Sequence, residues 1–293
     1  MVATVGSASA NLWPVFIGLR QGFFKEQNIE IDLIYVQSSA QMVQQLAAGS
    51  LNVTMSTGLV DPIRAIEKGA NLAIVRFESQ APPYALVAKK EIKSLKELAG
   101  KTISIGGPKD ITRIFVERML APSGIKSGQF DTVYAGATSA RAQALLSGAV
   151  DAAILLPPFN FQVVNAGFNE LGQTVDFAPE LPFSGTVANV AWANANKPVL
   201  LRLIAAHSRS VAWFEDEANR SAAVAMLVEA SKLQTDEVEK SYDFFRKGHY
   251  FEPTGKISRK KLNALIDALV GLGDIGRIEI EKLVLPGVTQ LTD

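Results

Sequence analysis

The chain of 293 residues contains no cysteine and only two histidines, His207 and His249. The first absence excludes disulfides, thiolate nucleophiles and cysteine-ligated zinc, and it suits an oxidising compartment in which a stray thiol is a liability. Two histidines so far apart are too few for a histidine-rich metal site. Neither sign of charge is in excess: 29 Lys and Arg balance 29 Asp and Glu, so no global basic field invites nucleic acid or an anionic membrane. No apolar stretch approaches the roughly 18 uninterrupted residues a membrane helix requires. The metalloprotease HExxH, the P-loop and the nucleophile-elbow G-x-S-x-G are all missing, which leaves an enzyme poorly supported. Met1 runs directly into the strand-like Val2-Ala3-Thr4-Val5, without a basic segment followed by an apolar one. The expectation is either a cytoplasmic protein or a mature form whose leader has been removed.

What is there reads as globular and α/β. Forty-eight per cent of residues are apolar and 20% charged, far from a disordered composition, and the length suits about two domains. Short apolar runs alternate with helical-period segments, the rhythm of a mostly parallel sheet. The pattern predicts strands at 2–6, 29–36, 53–56 and 72–77, with helices at 14–25, 39–48 and 60–68. After the Pro-rich break at 79–83 and an apolar run at 84–88, Ser94-Leu95-Lys96-Glu97 reads as a capping box that opens a short helix closed by Gly100. Strands at 102–105, 129–135 and 151–156 then alternate with helices at 110–120 and 138–147. A second apolar run, 186–193, precedes an all-helical tail from about residue 197.

The two halves of this pattern are related. Residues 44–55, QQLAAGSLNVTM, return 99 positions later as 143–154, QALLSGAVDAAI, with Gln44/Gln143, Leu46/Leu145 and Gly49/Gly148 identical. The same offset pairs Tyr35 with Tyr134 and Phe16 with Phe115. A repeat of this length implies two copies of one αβ unit rather than a solenoid, and two facing lobes make a ligand cleft. Extended segments near 84–88 and 186–193 bracket the second copy. They predict a first lobe made of 1–86 and 188–293, a second of 87–187, and a hinge between them.

Several motifs have plain structural readings. Gly271-Leu272-Gly273-Asp274-Ile275-Gly276 matches the dinucleotide fingerprint, but it follows an amphipathic helix where the fingerprint needs a strand, and it reads as a helix stop. Asn52-Val53-Thr54 fits a glycosylation sequon inside a predicted strand. Arg259-Lys260-Lys261 reads as a solvated helix face. The turns after the strands are more telling, because ligands of open parallel sheets sit outside the carboxyl ends of the strands, near helix N-termini. In the first copy these turns carry Ser7 to Trp13, Gln37-Ser38-Ser39-Ala40-Gln41 and Ser56-Thr57-Gly58. In the second they carry Gly106 to Arg113, Gly136-Ala137-Thr138-Ser139 and Leu156-Pro157-Pro158-Phe159. Hydroxyl and amide groups there can receive an anion, or merely cap their own helices, as Ser39 and Thr138 are placed to do. The candidate ligand-binding residues are Asn11, Trp13, Ser38, Ser39, the Ala40 amide, Thr57, Asp110, Thr112, Thr138, Ser139 and Phe159. Trp13 and Phe159, with Phe161, would supply an apolar wall. Candidate cations are Lys109, Arg113, Arg141 and Arg76, with Glu78 and Asp110 as partners for the arginines. No catalytic residue, metal ligand or cofactor is expected.

The sequence resembles the substrate-binding proteins of ABC importers, in the nitrate/sulfonate/taurine-type branch that also includes thiamine-precursor binders. The resemblance rests on Gly22-Phe23-Phe24-Lys25-Glu26 with Ile29-Glu30-Ile31, on Leu46 to Val53, on Ser94 to Ile103 and on Leu145 to Ala153, in that order, over roughly the first 160 residues. It implies the type II periplasmic-binding-protein fold, two α/β lobes joined by a two-segment hinge with a helical C-terminal tail. It also implies a monomer outside the inner membrane that hands a small-molecule ligand to a membrane permease. The turn opening the second lobe is poorer in hydroxyls than the family's usual anion turn and adds Asp110. That departure, with Trp13 and Phe159, favours an organic anion such as a sulfonate or aromatic carboxylate over plain nitrate. The alternative is a thiamine-pyrimidine-related binder or a synthase-like enzyme on the same fold, which would need a Cys/His cluster. A cytoplasmic ligand-sensing module would need an effector domain that this chain does not contain.

Overall fold

In the computed structural model the described residues are 2–5, 8–36 and 38–293. The first copy of the repeat builds β1 (Val2–Val5), α1 (Trp13–Arg20), α2 (Phe23–Glu26), β2 (Leu33–Val36), α3 (Ser39–Ala47), β3 (Val53–Gly58), α4 (Val60–Glu67) and β4 (Leu72–Ser79). The helix expected over 14–25 breaks in two at Gly22, whose φ of +76° lies in the left-handed region that glycine enters without steric cost. The second copy adds β5 (Ala85–Ala88), β6 (Thr102–Ile105), α5 (Ile111–Leu120), β7 (Asp131–Tyr134), α6 (Thr138–Leu146), β8 (Ala152–Leu155), α7 (Phe159–Asn165) and β9 (Asn169–Gln173). The expected helix after Ser94 is a single 3-10 turn, Leu95–Leu98, in which Ser94 Oγ donates to Glu97 instead of capping the backbone. Elements α7 and β9 were not expected, being short and carrying a mixture of apolar and polar residues without a clear period.

Two five-stranded mixed sheets result, with strand orders β2-β1-β3-β10-β4 and β7-β6-β8-β5-β9, where β10 is Ser184–Asn189. Within each, the first three strands run parallel, and the next comes from across the chain: β10 runs antiparallel to β3 and β4, β5 antiparallel to β8 and β9. The repeat is visible in register, since α3 and α6 start at 39 and 138 and β3 and β8 start at 53 and 152, each pair 99 apart. Segments 80–84 and 174–183 connect the sheets, and the expected divisions at 86/87 and 187/188 fall inside β5 and β10. The second apolar run is therefore strand only to Asn189. There the Asn189 side chain accepts from Trp192 N at 3.1 Å and starts α8 (Val190–Ala195).

The tail forms α9 (Lys197–Glu215), α10 (Arg220–Ser231), α11 (Thr235–Gly248), α12 (Arg259–Gly271) and α13 (Ile280–Leu283). Helix α9 packs on α1 and α2, α10 on α1, and α12 on α4, so the tail covers the first sheet's lobe. Trp13 is the centre of that packing: fully buried, it meets Phe214 at a tilt and Tyr242 and Phe245 edge-on, with ring centres 5.2, 5.9 and 6.3 Å apart, and its Nε1 donates to Ala223 O. Burying such a side chain stabilises the lobe by about 4–6 kcal/mol as an upper bound. Phe159 is the corresponding core residue of the second lobe, packed with Ala85, Val87, Ala142 and Leu145. Neither ring reaches the cleft, which corrects the expected aromatic wall: each opens a helix whose apolar face turns into its own lobe.

Candidate ligand-binding cleft

The carboxyl ends of the parallel strands of both sheets face each other across a cavity of about 60 Å3. The first lobe contributes Ser9, Asn11 and Leu12 from the turn after β1, Ser38 and Ser39 from the start of α3, and Ser56 and Gly58 from the end of β3. The second contributes Gly106, Asp110 and Ile111 around the start of α5, Gly136, Thr138 and Arg141 around the start of α6, and Leu156 after β8. Tyr84 and Phe183, one from each connecting segment, complete it, with their rings edge-to-face at 5.0 Å. Three lining pairs, Asn11/Asp110, Leu12/Ile111 and Ser39/Thr138, are separated by the same 99 positions as the repeat. The duplicated unit thus supplies equivalent turns to the two walls.

Of the expected residues, Asn11, Ser38, Ser39, Asp110 and Thr138 meet here. Ser38, not Ser39, caps α3, accepting from Gln41 N at 3.2 Å, which leaves the Ser39 side chain on the wall without a capping task. Thr138 does not cap α6 either; its hydroxyl accepts from Leu156 N at 3.0 Å and ties the turn after β8 to the helix start. Thr112 is a supporting residue: its hydroxyl accepts from Gly106 N at 2.9 Å and bonds the Asp110 carboxylate, whose Oδ1 also accepts from Thr112 N at 2.9 Å. Thr57 is fully buried against Met42, while Ala40 is exposed and Ser139 half-buried, outside the lining. Ser7 and Gln37, in the same turns, lie outside the described residues.

Among the four candidate cations only Arg141 lines the cavity. It is 3% exposed; its Nε donates to Ile154 O at 2.8 Å, one terminal nitrogen donates to Gly136 O, and the guanidinium carbon lies 5.9 Å from the centre of the Tyr84 ring. Five N–H donors on a guanidinium leave others for a ligand. Burial pushes the Tyr84 hydroxyl well above its ordinary pKa, so it stays a neutral donor beside Arg141. Arg76 instead lies buried below the first sheet, donating to Phe77 O, Ile204 O, Ser208 Oγ and Glu252 O. Lys109 offers its carbonyl to Arg64, and Arg113 pairs with Glu117.

Beneath the first-lobe wall lies Glu78, 1% exposed. It accepts from Ser56 N at 2.8 Å and Ser56 Oγ at 2.9 Å, and from the Thr186 hydroxyl. Burial alone would raise its pKa, but the His207 imidazole at 3.5 Å, the Arg76 guanidinium and the Thr186 hydroxyl bring it down to about 2. Burial and Arg76 push His207's own pKa down, so the donors and Arg76 are what hold Glu78 ionised. Ser56 takes a φ of +55°, unusual for a residue with a side chain, and its hydroxyl is 3.1 Å from Asn11 O. The expected pairing of Glu78 with a cleft arginine does not match this arrangement, in which Glu78 holds the serine.

Residues 9–218 match the model of the NMT1/THI5-like family. The chain belongs to that family. No curated protein sequence matches the chain. Among solved structures it is similar to the alkanesulfonate-binding protein SsuA from Xanthomonas axonopodis pv. citri bound to MOPS, with a TM-score of 0.78, 16% identity, and 100% of this chain and 98% of that one covered. The periplasmic nitrate-binding protein NrtA from Synechocystis gives 0.72 and 15% over 82% of this chain and 69% of that one. A conserved Candida albicans gene product, described as having the generic periplasmic binding protein fold, gives 0.75 and 14% over 99% and 96%. The family member described here has that fold: two α/β lobes, two connecting segments and a helical tail. No helix of its described residues is long and apolar enough to cross a membrane.

Proposed function

We propose that the protein is an extracytoplasmic solute-binding protein that captures a small organic anion between its lobes and delivers it to an ABC importer. The observation that carries this reading is Arg141. A buried guanidinium needs a counter-charge or its desolvation is uncompensated, and among the described residues it has carbonyls and an aromatic ring as partners but no carboxylate. It sits at the positive end of α6, where backbone amides also favour an anion. The sulfonate- and nitrate-binding neighbours support the class, and the apolar contribution of Tyr84, Phe183 and Leu12 to the lining supports an organic ligand over a bare inorganic anion. Against a synthase-like enzyme stands the absence of cysteine from the chain. Neither histidine lines the cavity: His207 lies buried beneath it and His249 ends α11. In the reading we favour, the first lobe takes back the C-terminal helices and the connecting segments 80–84 and 174–183 act as the hinge.

Native mass spectrometry of the purified protein, followed by calorimetry with a panel of small alkyl and aryl sulfonates and carboxylates, tests the reading. A charged hydrogen bond contributes about 1.5–3 kcal/mol, so Arg141→Gln is expected to weaken binding of the tightest panel member by roughly ten- to a hundredfold. Unchanged affinity in that variant, or no organic anion bound by the parent protein, overturns it.

A further inference from the structure

The glycine-rich turn after α12 has a carboxylate at its centre, and that carboxylate lies between arginines of the two lobes. Asp274, whose side chain is 7% exposed, accepts from Arg64 of α4 in the first lobe through Oδ2. The same oxygen is 4.0 Å from Arg113 of α5 in the second. The turn places it there: Gly273 takes a φ of +68°, Asp274 N donates back to Leu269 O at 3.0 Å, and Gly276 N donates to Glu67 Oε1 at 3.2 Å. Arg64, 8% exposed, pairs with Asp61 at 3.3 Å and crosses the cleft to donate to the carbonyl of Lys109. Arg113 closes the other side of that loop by donating to Pro108 O at 3.0 Å. Asp110, the residue after Lys109, lines the ligand cavity, whereas none of Arg64, Arg113 and Asp274 does.

We propose that Arg64, Asp274 and Arg113 form an interlobe latch, outside the ligand cavity, that holds the second-lobe turn 107–110 against the first lobe. The inference rests on the lobes moving about their connecting segments, but not on the identity of the ligand. The chemistry suits a reversible contact. On opening, Arg64 loses the Lys109 carbonyl but keeps Asp61 and Asp274, both in its own lobe, so no buried charge is stranded. Arg113 likewise keeps Glu117 of its own helix at 3.4 Å. The two states then differ by a few exchangeable contacts, the condition for a population that small changes can shift. The latch residues are positioning residues: they set where Asp110 sits and how often the cleft is shut, without touching a ligand.

Because the chain has no cysteine, one can be placed on each lobe, at the exposed Lys68 and Lys126, and the distance between attached spin labels measured by double electron–electron resonance without added ligand. The expected result is that Arg64→Gln and Asp274→Asn each move the distribution to longer distances relative to the parent pair. Arg113→Gln should do so less. Removal of an exposed first-lobe pair by Arg259→Gln should leave it unchanged. Distributions superimposable on the parent in both Arg64→Gln and Asp274→Asn overturn the latch, as does a shift of equal size with Arg259→Gln. Should Arg64→Gln fail to fold, Asp274→Asn decides alone, since it keeps the arginine and its Asp61 partner. Arg141→Gln separates this inference from the functional reading, because it is expected to change binding while leaving the distance distribution in place.

Discussion

At the scale of single residues, the cleft is built from groups whose roles depend on what holds them. Arg141 and Asp110 are ordinary side chains at helix starts, and Ser56 one near a strand end. Two backbone carbonyls leave Arg141 with donors to spare, Thr112 orients Asp110, and Glu78 grips Ser56 by its amide and hydroxyl. Glu78 yields a sharp expectation. Its pKa of about 2 lies below the ordinary value of 4.5, so its stabilising contribution is complete above about pH 4.5 and is lost as pH falls toward 2. Glu78→Gln should therefore destabilise the protein near neutral pH by about 3–5 kcal/mol, since it leaves Arg76 short of a counter-charge. It should also flatten the acid limb of the stability curve over that window. Chemical denaturation at pH 7 and at pH 3 reads both, and an acid limb as steep as the parent's would count against the role given to Glu78. Of the candidate residues, Asn11, Ser39 and Thr138 were legible because hydroxyl and amide groups at strand–helix turns have few other tasks. Tyr84 and Phe183 were not, because an aromatic residue beside proline in a connecting segment looks the same whether it meets solvent, core or ligand.

At the scale of elements, the sequence was most informative where the helical period was clear. Helices α3 and α6 begin at the residues expected, 39 and 138, and the strands flanking each helix occupy equivalent places in the two sheets. It was least informative where apolar and polar residues mixed without a period, as at 159–173, and where one glycine split a helix. Across the cleft, α4 and α5 bring carboxylates together. Burial, then the neighbouring charge of Asp110, raises the Asp61 pKa from 3.8 to about 6, against the pull of Arg64. For a carboxyl raised in this way the folded state holds the proton more tightly than the unfolded chain, so stability falls as pH rises from about 4 to about 6 and is recovered on acidification. Asp61→Asn is thus expected to raise the melting temperature at pH 7 and to have little effect at pH 4. Calorimetry at the two values checks this, and a loss of stability at pH 7 would show that the Arg64 pair outweighs the desolvation.

At the scale of the whole molecule, the lobes meet through contacts beyond the latch. Ala10 N donates to Pro157 O at 2.8 Å, Asn165 of α7 bonds Asp236 and Lys240 of α11 at 3.0 and 2.7 Å, and Phe161 lies edge-on to Phe244 at 6.2 Å. Phe161, expected in a ligand wall, is therefore part of the interlobe seam. Exposed pairs such as Asn165–Asp236 contribute little each, about 1 kcal/mol or less. The seam is a sum of small terms rather than a locked core, and ligand oxygens satisfied from both walls would shift it further toward the shut form. Small-angle scattering is expected to give a smaller radius of gyration, or a narrower spread of conformations, when a bound panel anion is present. An unchanged profile with the anion shown to be bound would leave the hinge without support.

The sequence by itself determined the α/β class, the duplicated unit and the turns that face the cleft, because strand–helix alternation, capping residues and a 99-residue offset are local or periodic properties of the chain. Only the tertiary structure decided which charges matter. Arg76, Arg113 and Arg141 are alike as sequence. Arg76 is enclosed by α9 and the Glu252 turn, Arg113 faces the other lobe, and Arg141 meets the cavity. Likewise a glycine-rich turn that resembles a nucleotide fingerprint seats Asp274 between two arginines 210 and 161 positions earlier in the chain. Such contacts join residues from different copies and from the tail, and their geometry follows from how the lobes pack, which no local pattern encodes.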